Sequence, residues 1–104
     1  MRLTLKEALA RIPAGAEIPY ATVLERDAFS AEVYAPRGVD AQQPHTRDEL
    51  YFVVSGSGSF VDGAERYPFG PGDLLFVPAN VPHRFEEFTD DLVVWAVFFG
   101  REGA

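Results

Sequence analysis

The chain opens with Leu5, Ala8, Leu9 and Ile12 at spacings of three and four, an apolar stripe on one side of a helix. Thr4 and Glu7 stand at capping-box spacing, where each side chain satisfies a backbone N–H of the first turn. Pro13 and Gly15 end the pattern. So short a helix is not stable alone, so residues 1–15 are read as an arm that packs on something else. After Glu17 the texture changes to short runs separated by Pro, Gly, Asn and Asp, the mark of an all-β domain. Phe29 to Ala35 alternates, with Phe29, Ala31, Val33 and Ala35 on one face and Ser30, Glu32 and Tyr34 on the other. Pro36-Arg37-Gly38 breaks it.

Glu49 to Ser55 reads as a second strand, stopped by Gly56-Ser57-Gly58. Phe60 and Val61 lead into Asp62-Gly63, a hairpin signal because both residues tolerate positive φ. Gly70-Pro71-Gly72-Asp73 is a turn before a strand from Leu74 to Val77. Pro78-Ala79-Asn80 turns again, and Val81 to Phe85 is extended. Leu92 to Phe99 is apolar throughout, so both of its faces require cover. Leu92, Val94, Ala96 and Phe98 share one face, and Val93, Trp95, Val97 and Phe99 share the other. The core is expected on one side, and the helix or another subunit on the other.

The 104 residues suffice for one domain, here read as 1–104 without internal repeats or linkers. With 47% hydrophobic residues the chain can build a core without staples, and the lack of cysteine excludes disulfides, thiolate metal sites and cysteine nucleophiles. A net charge of −7 opposes binding to nucleic-acid phosphate and to anionic lipid. No apolar run approaches the roughly 20 residues of a membrane span. The N-terminus has Lys6 and Glu7 inside its helical pattern and lacks a signal-peptide block. A soluble cytoplasmic protein without nucleic-acid or membrane partners is the expectation. Gly56-Ser57-Gly58 lacks the helix that a phosphate loop requires, and no nucleophile elbow surrounds Ser57 or Ser59. Glu86, Glu87, Asp90 and Asp91 read as a solvated loop, and Arg47-Asp48 as an exposed ion pair.

The chain has two histidines, and each sits where a turn feeds a strand. His45 precedes Glu49 by four residues, an even spacing that puts both side chains on one face of an extended segment. Four extended residues cover roughly 13 Å, too far for both side chains to meet one ion. Thr46-Arg47-Asp48 is therefore expected to bend or bulge. His83 comes from a separate strand behind Pro82. Two imidazoles and a carboxylate on one ion leave open coordination positions and suit Fe(II), Mn(II), Ni(II) or Zn(II) alike. Tyr51 and Phe85, each two residues beyond a ligand, read first as core filling and second as walls of a substrate pocket.

From Gly38 to Phe85 the sequence resembles the two motifs of the cupin superfamily. His45, three residues, Glu49, six residues and Gly56 match the second half of the first motif. Gly72, five residues, Pro78-Ala79-Asn80, two residues and His83 match the second. The resemblance implies an antiparallel double-stranded β-helix, the cupin or jelly-roll barrel, preceded by the short helix. It also implies one divalent metal ion and a homodimer. Three positions depart from the motifs. Gln43 replaces the first histidine, with Gly38 one residue nearer to it than usual, and its amide oxygen is a candidate fourth ligand. Asn80 stands for a glycine, and Glu87 for the terminal asparagine.

Two classes of function follow. One is a metal-dependent enzyme acting on a small organic molecule, such as a keto-acid, hydroxy-acid or phenol, with oxygenase- and isomerase-type chemistry foremost. The other is a non-catalytic small-molecule-binding or accessory domain. A metal-free epimerase-like cupin, with a histidine as base, stands as the enzymatic rival.

Overall fold

The computed structural model describes residues 1–42 and 44–100. Helix α1 spans Leu5–Leu9, and its capping box is complete: Thr4 Oγ1 accepts from the Glu7 N–H while Glu7 accepts from the Thr4 N–H. The helical turns stop at Leu9, although Ile12 still packs with the arm's other apolar residues.

The strands are β1 (Tyr20–Glu25), β2 (Phe29–Tyr34), β3 (Asp48–Ser55), β4 (Gly58–Asp62), β5 (Glu65–Phe69), β6 (Leu74–Val77), β7 (His83–Glu86) and β8 (Val93–Phe99). They form two antiparallel sheets, one in the order β1-β2-β8-β3-β6 and the other β5-β4-β7. The chain is therefore all-β with a short N-terminal helix. β1 was not expected from the sequence, and β5 was implied only by the Asp62-Gly63 hairpin signal. The β4–β5 hairpin is present, but Asp62 pairs with Glu65, so the turn falls on Gly63-Ala64 and only Gly63 has positive φ (61°).

One core lies between the sheets. Tyr51, Val53, Leu75, Val77, Val94, Ala96 and Phe98 from the five-stranded sheet meet Phe60, Phe69 and Phe85 from the three-stranded one. β8 contributes the alternation expected of it, because Leu92, Val94, Ala96 and Phe98 join this core while Val93 and Trp95 face the opposite way. A second cluster forms there, with Ala8, Leu5, Leu9 and Ile12 of the arm over Val33, Val93 and Trp95. The arm covers only part of that outer face. Phe52, Leu74, Phe76 and Phe99 remain 44%, 58%, 49% and 44% exposed.

Gly56 shows why its position requires glycine. Its φ is +91°, and a Cβ there would lie 2.6 Å from the Leu92 Cα. Such a contact is impossible without moving backbone, so this glycine lets β3 end against the chain entering β8.

Candidate metal centre

Three elements deliver the histidines and the glutamate to one place. Glu49 lies on the inner face of β3, paired with Val77 of β6 and Phe98 of β8. His83 begins β7 in the other sheet. His45 lies in the loop before β3, and the chain bends at Thr46 and Arg47 as the reach argument requires. That loop is pinned to the turn before β7: the Asn80 N–H donates to the His45 carbonyl (2.7 Å), and the Ala79 N–H donates to Asp48 Oδ1 (2.9 Å). Asn80 adopts φ 65°, the left-handed conformation that asparagine tolerates well. The turn of one motif thus sets the histidine of the other.

His45 Nε2 is 2.6 Å from Glu49 Oε1, and His83 Nε2 is 3.2 Å from the same oxygen. One ligand atom from each of the three residues falls within 4.8 Å of the others. The far nitrogens define the chemistry. His45 Nδ1 lies 2.8 Å from the Arg47 carbonyl and His83 Nδ1 lies 2.9 Å from the Val81 carbonyl. A carbonyl only accepts, so each Nδ1 carries the proton, and in a neutral ring Nε2 then presents a lone pair. Both lone pairs converge on a buried carboxylate that also only accepts. The contact is favourable only with a cation between the groups, either a proton or a metal ion. His83 Nε2 is buried and, despite its proximity to Glu49, is not angled to form a hydrogen bond with it. These residues fit a divalent cation, and the backbone carbonyls fix the ring tautomers as outer partners of metal-ligating histidines do.

The electrostatics agree. Burial alone raises a carboxyl's pKa, but His45 and His83 outweigh burial and hold Glu49 below its usual value. For His83 burial disfavours the charged ring, yet Glu49 and the Val81 carbonyl prevail and raise its pKa. The site attracts positive charge.

A hydrogen-bonded network lies beneath it. Tyr51 donates to Gln42 Oε1 (2.8 Å), Gln42 Nε2 donates to Asp40 Oδ2 (2.7 Å), and Tyr34 donates to Asp40 Oδ1. Asp40 is buried and also accepts from the Phe85 N–H at 2.9 Å. Burial, then the charges of Glu49 and Asp40, push the Tyr51 phenol well above its usual pKa. Beside His45 opens a cavity of about 670 Å³, walled by Thr22, Ser30, Glu32, Arg47 and Phe98 among others.

Of the residues singled out in the sequence, His45, Glu49 and His83 are brought together, and Gln43 lies outside the described residues. Tyr51 and Phe85 are buried in the core and meet edge to face, 5.0 Å between ring centroids. Neither lines the cavity beside His45. Arg47 and Asp48 do not form the exposed pair expected of them. The Arg47 guanidinium lies 4.7 Å over the Phe98 ring with Nη1 donating to Ser30, while Asp48 accepts from Ala79. Glu86 is likewise tied, to Arg66 and Arg84. Asp40, Gln42 and Glu32 were missed. They carry no motif, and only the alternation of Ser30, Glu32 and Tyr34 hinted that β2 turns a polar row inward.

The fold and the donor set define a small antiparallel β protein with a site suited to one metal ion. The sequence profile of the cupin domain matches residues 31–99, and the chain belongs to the cupin family. An uncharacterized protein of Streptomyces coelicolor is 44% identical over 59 residues, covering 57% of this chain and 56% of that protein. Acireductone dioxygenase of Bacillus subtilis is 42% identical over 65 residues, covering 57% of this chain and 36% of the enzyme. The chain thus matches between about a third and just over half of these relatives' length. Among solved structures, TT1209 from Thermus thermophilus superposes with a TM-score of 0.75 at 24% identity, covering 97% of this chain and 99% of the other.

Proposed function

We propose that His45, Glu49 and His83 hold one divalent metal ion at the mouth of a double-stranded β-helix barrel, and that the ion engages a small oxygenated acid entering through the cavity beside His45. The observation that carries this reading is the pair of Nε2 lone pairs aimed at one buried carboxylate, an arrangement a metal ion satisfies. Three protein ligands leave positions open for an incoming carboxylate, hydroxyl or enolate oxygen, which the ion would polarise as a Lewis acid. The likeness to a dioxygenase that takes an acireductone supports small, oxygen-rich substrates and metal-dependent enzyme chemistry. Gln43, two residues before His45 in the sequence, would serve as a neutral fourth ligand.

Elemental analysis of protein purified without a histidine tag tests occupancy and identifies the metal among Fe, Mn, Ni and Zn. An ion at a hundred times its Kd stabilises the fold by about 2.7 kcal/mol, so chelator should lower the Tm of metal-loaded protein by roughly 10–20 °C. His45→Ala and His83→Ala should each abolish that difference. Equal chelator sensitivity in wild type and both variants would remove the basis for the site.

One observation favours a second reading. Because Glu49 raises the His83 pKa, the same three residues can hold a proton, as a metal-free isomerase- or epimerase-like cupin would require. Ligand binding that survives metal removal but weakens in Glu49→Gln would select that reading.

A further inference from the structure

Strand β2 turns Ser30, Glu32 and Tyr34 toward the cavity. Ser30 accepts from Arg47 and Tyr34 donates to Asp40, so both outer members of the row are engaged within the protein. Glu32, between them, receives no hydrogen bond and forms no ion pair among the described residues. The residue is half-buried and lines the cavity. A partly desolvated carboxyl without a protein partner is costly unless water or a ligand completes it.

The strand register places Glu32 relative to the metal ligands. Ser30 pairs with Phe98, which pairs with Glu49. Glu32 pairs with Ala96, which pairs with Tyr51. Glu32 is therefore two strands across and one inward-facing step along from Glu49, about 12 Å between Cα atoms from ideal sheet spacings. The residue between Glu32 and Tyr51 in this row is alanine, while Phe98, with the Arg47 guanidinium over it, fills the adjoining row between Ser30 and Glu49. Glu32 and His45 line the same cavity, so a small ligand seated there can reach both. Burial first, then the Glu49 charge, raise the Glu32 pKa to about 7 against the opposing effect of Arg47 and His45. Near neutrality a large share of this carboxyl thus both donates and accepts, matching a hydroxyl group, whereas an ammonium group would require the ionised form. Thr22 adds a hydroxyl to the same wall.

We propose that Glu32 is the specificity-determining residue of the cavity, hydrogen-bonding a distal hydroxyl of a polyhydroxylated acid whose carboxylate and α-hydroxyl chelate the metal. This rests on the reading of His45, Glu49 and His83 as metal ligands. The ligand class is a short sugar acid or a similar polyol acid, with one end on the ion and one on β2.

The test compares lactate with glycerate, which differ by one hydroxyl, binding to Mn(II)-loaded protein by calorimetry. Mn(II) affinity is measured separately by competition with a chelator. Wild type is expected to prefer glycerate by about tenfold, the value of one good hydrogen bond. Glu32→Leu and Glu32→Ala should bring that ratio close to one, and Glu32→Gln, which still donates and accepts, should keep most of it. Mn(II) affinity should stay within about threefold throughout, since Glu32 is not a ligand. If the leucine variant fails to fold, the alanine variant decides. Equal binding of the two acids by wild type, or a preference that survives in Glu32→Ala, overturns the assignment of Glu32 and leaves the metal site standing. Failure of wild type to bind Mn(II) overturns the metal reading and this one with it.

Discussion

At the scale of single residues, Glu32 is where structure and pH meet. In the unfolded chain its carboxyl loses its proton near the ordinary 4.5; in the folded chain burial delays this to about 7. Between those values the unfolded state binds fewer protons than the folded one, so stability falls as pH rises through the window and levels off above it. Glu32→Gln lacks the ionisation. In chelator-treated protein the variant should therefore gain on wild type from pH 4.5 to 7, by up to about 3 kcal/mol. Denaturant unfolding at pH 5 and pH 8 checks this, and a difference that is the same at both pH values would contradict it. The three-residue centre was legible in the sequence because histidines are scarce here and both fall on motif positions. Glu32 and Asp40 were not, because one acid in an alternating strand looks the same whether its face meets solvent or a cavity.

At the scale of elements, the two strands that sequence reading left without bounds, β1 and β5, are both sheet edges. β5 carries Glu65, Arg66 and Pro68, a composition that argues against a strand, yet it pairs only with β4. An edge position tolerates a proline whose missing N–H faces away from its neighbour. β1 likewise pairs only with β2, and a register shift between Thr22 and Leu24 interrupts its alternation. Interior strands such as β3 and β8 must satisfy partners on both sides, and their patterns are correspondingly clear. The turns read more easily, since Gly56, Gly72 and Asn80 all adopt positive φ where the chain was expected to reverse. Gly56→Ala combines an unfavourable φ with a backbone clash at Leu92. It should cost upwards of about 2 kcal/mol, read as a lower denaturant midpoint with an unchanged slope. A loss below half a kilocalorie would mean that the junction of β3 and β8 yields easily.

At the scale of the whole molecule, the outer face of the five-stranded sheet is only partly covered. Beyond the arm, Phe52 pairs with Leu74 and Leu50 with Phe76, making an apolar row that runs to the unpaired edge of β6. Such a row suits a second copy of the chain, by face or by strand edge. Sedimentation at micromolar concentration is expected to show a homodimer, with Phe76→Lys shifting it to monomer. A wild-type monomer would mean that this face stays open. Among the described residues no helix is long and apolar enough to cross a membrane.

The arm itself has a practical consequence. The chain's single tryptophan, Trp95, sits on the side of β8 that packs with Leu5, Leu9 and Ile12, on the opposite face from the histidines. Its fluorescence is therefore a built-in reporter of whether the first dozen residues are seated. Deleting residues 1–12 should redden the emission and open the indole to acrylamide quenching, while loading the metal site should leave both almost unchanged. One optical signal can thus follow the arm while another method follows the centre, in the same sample and without a label.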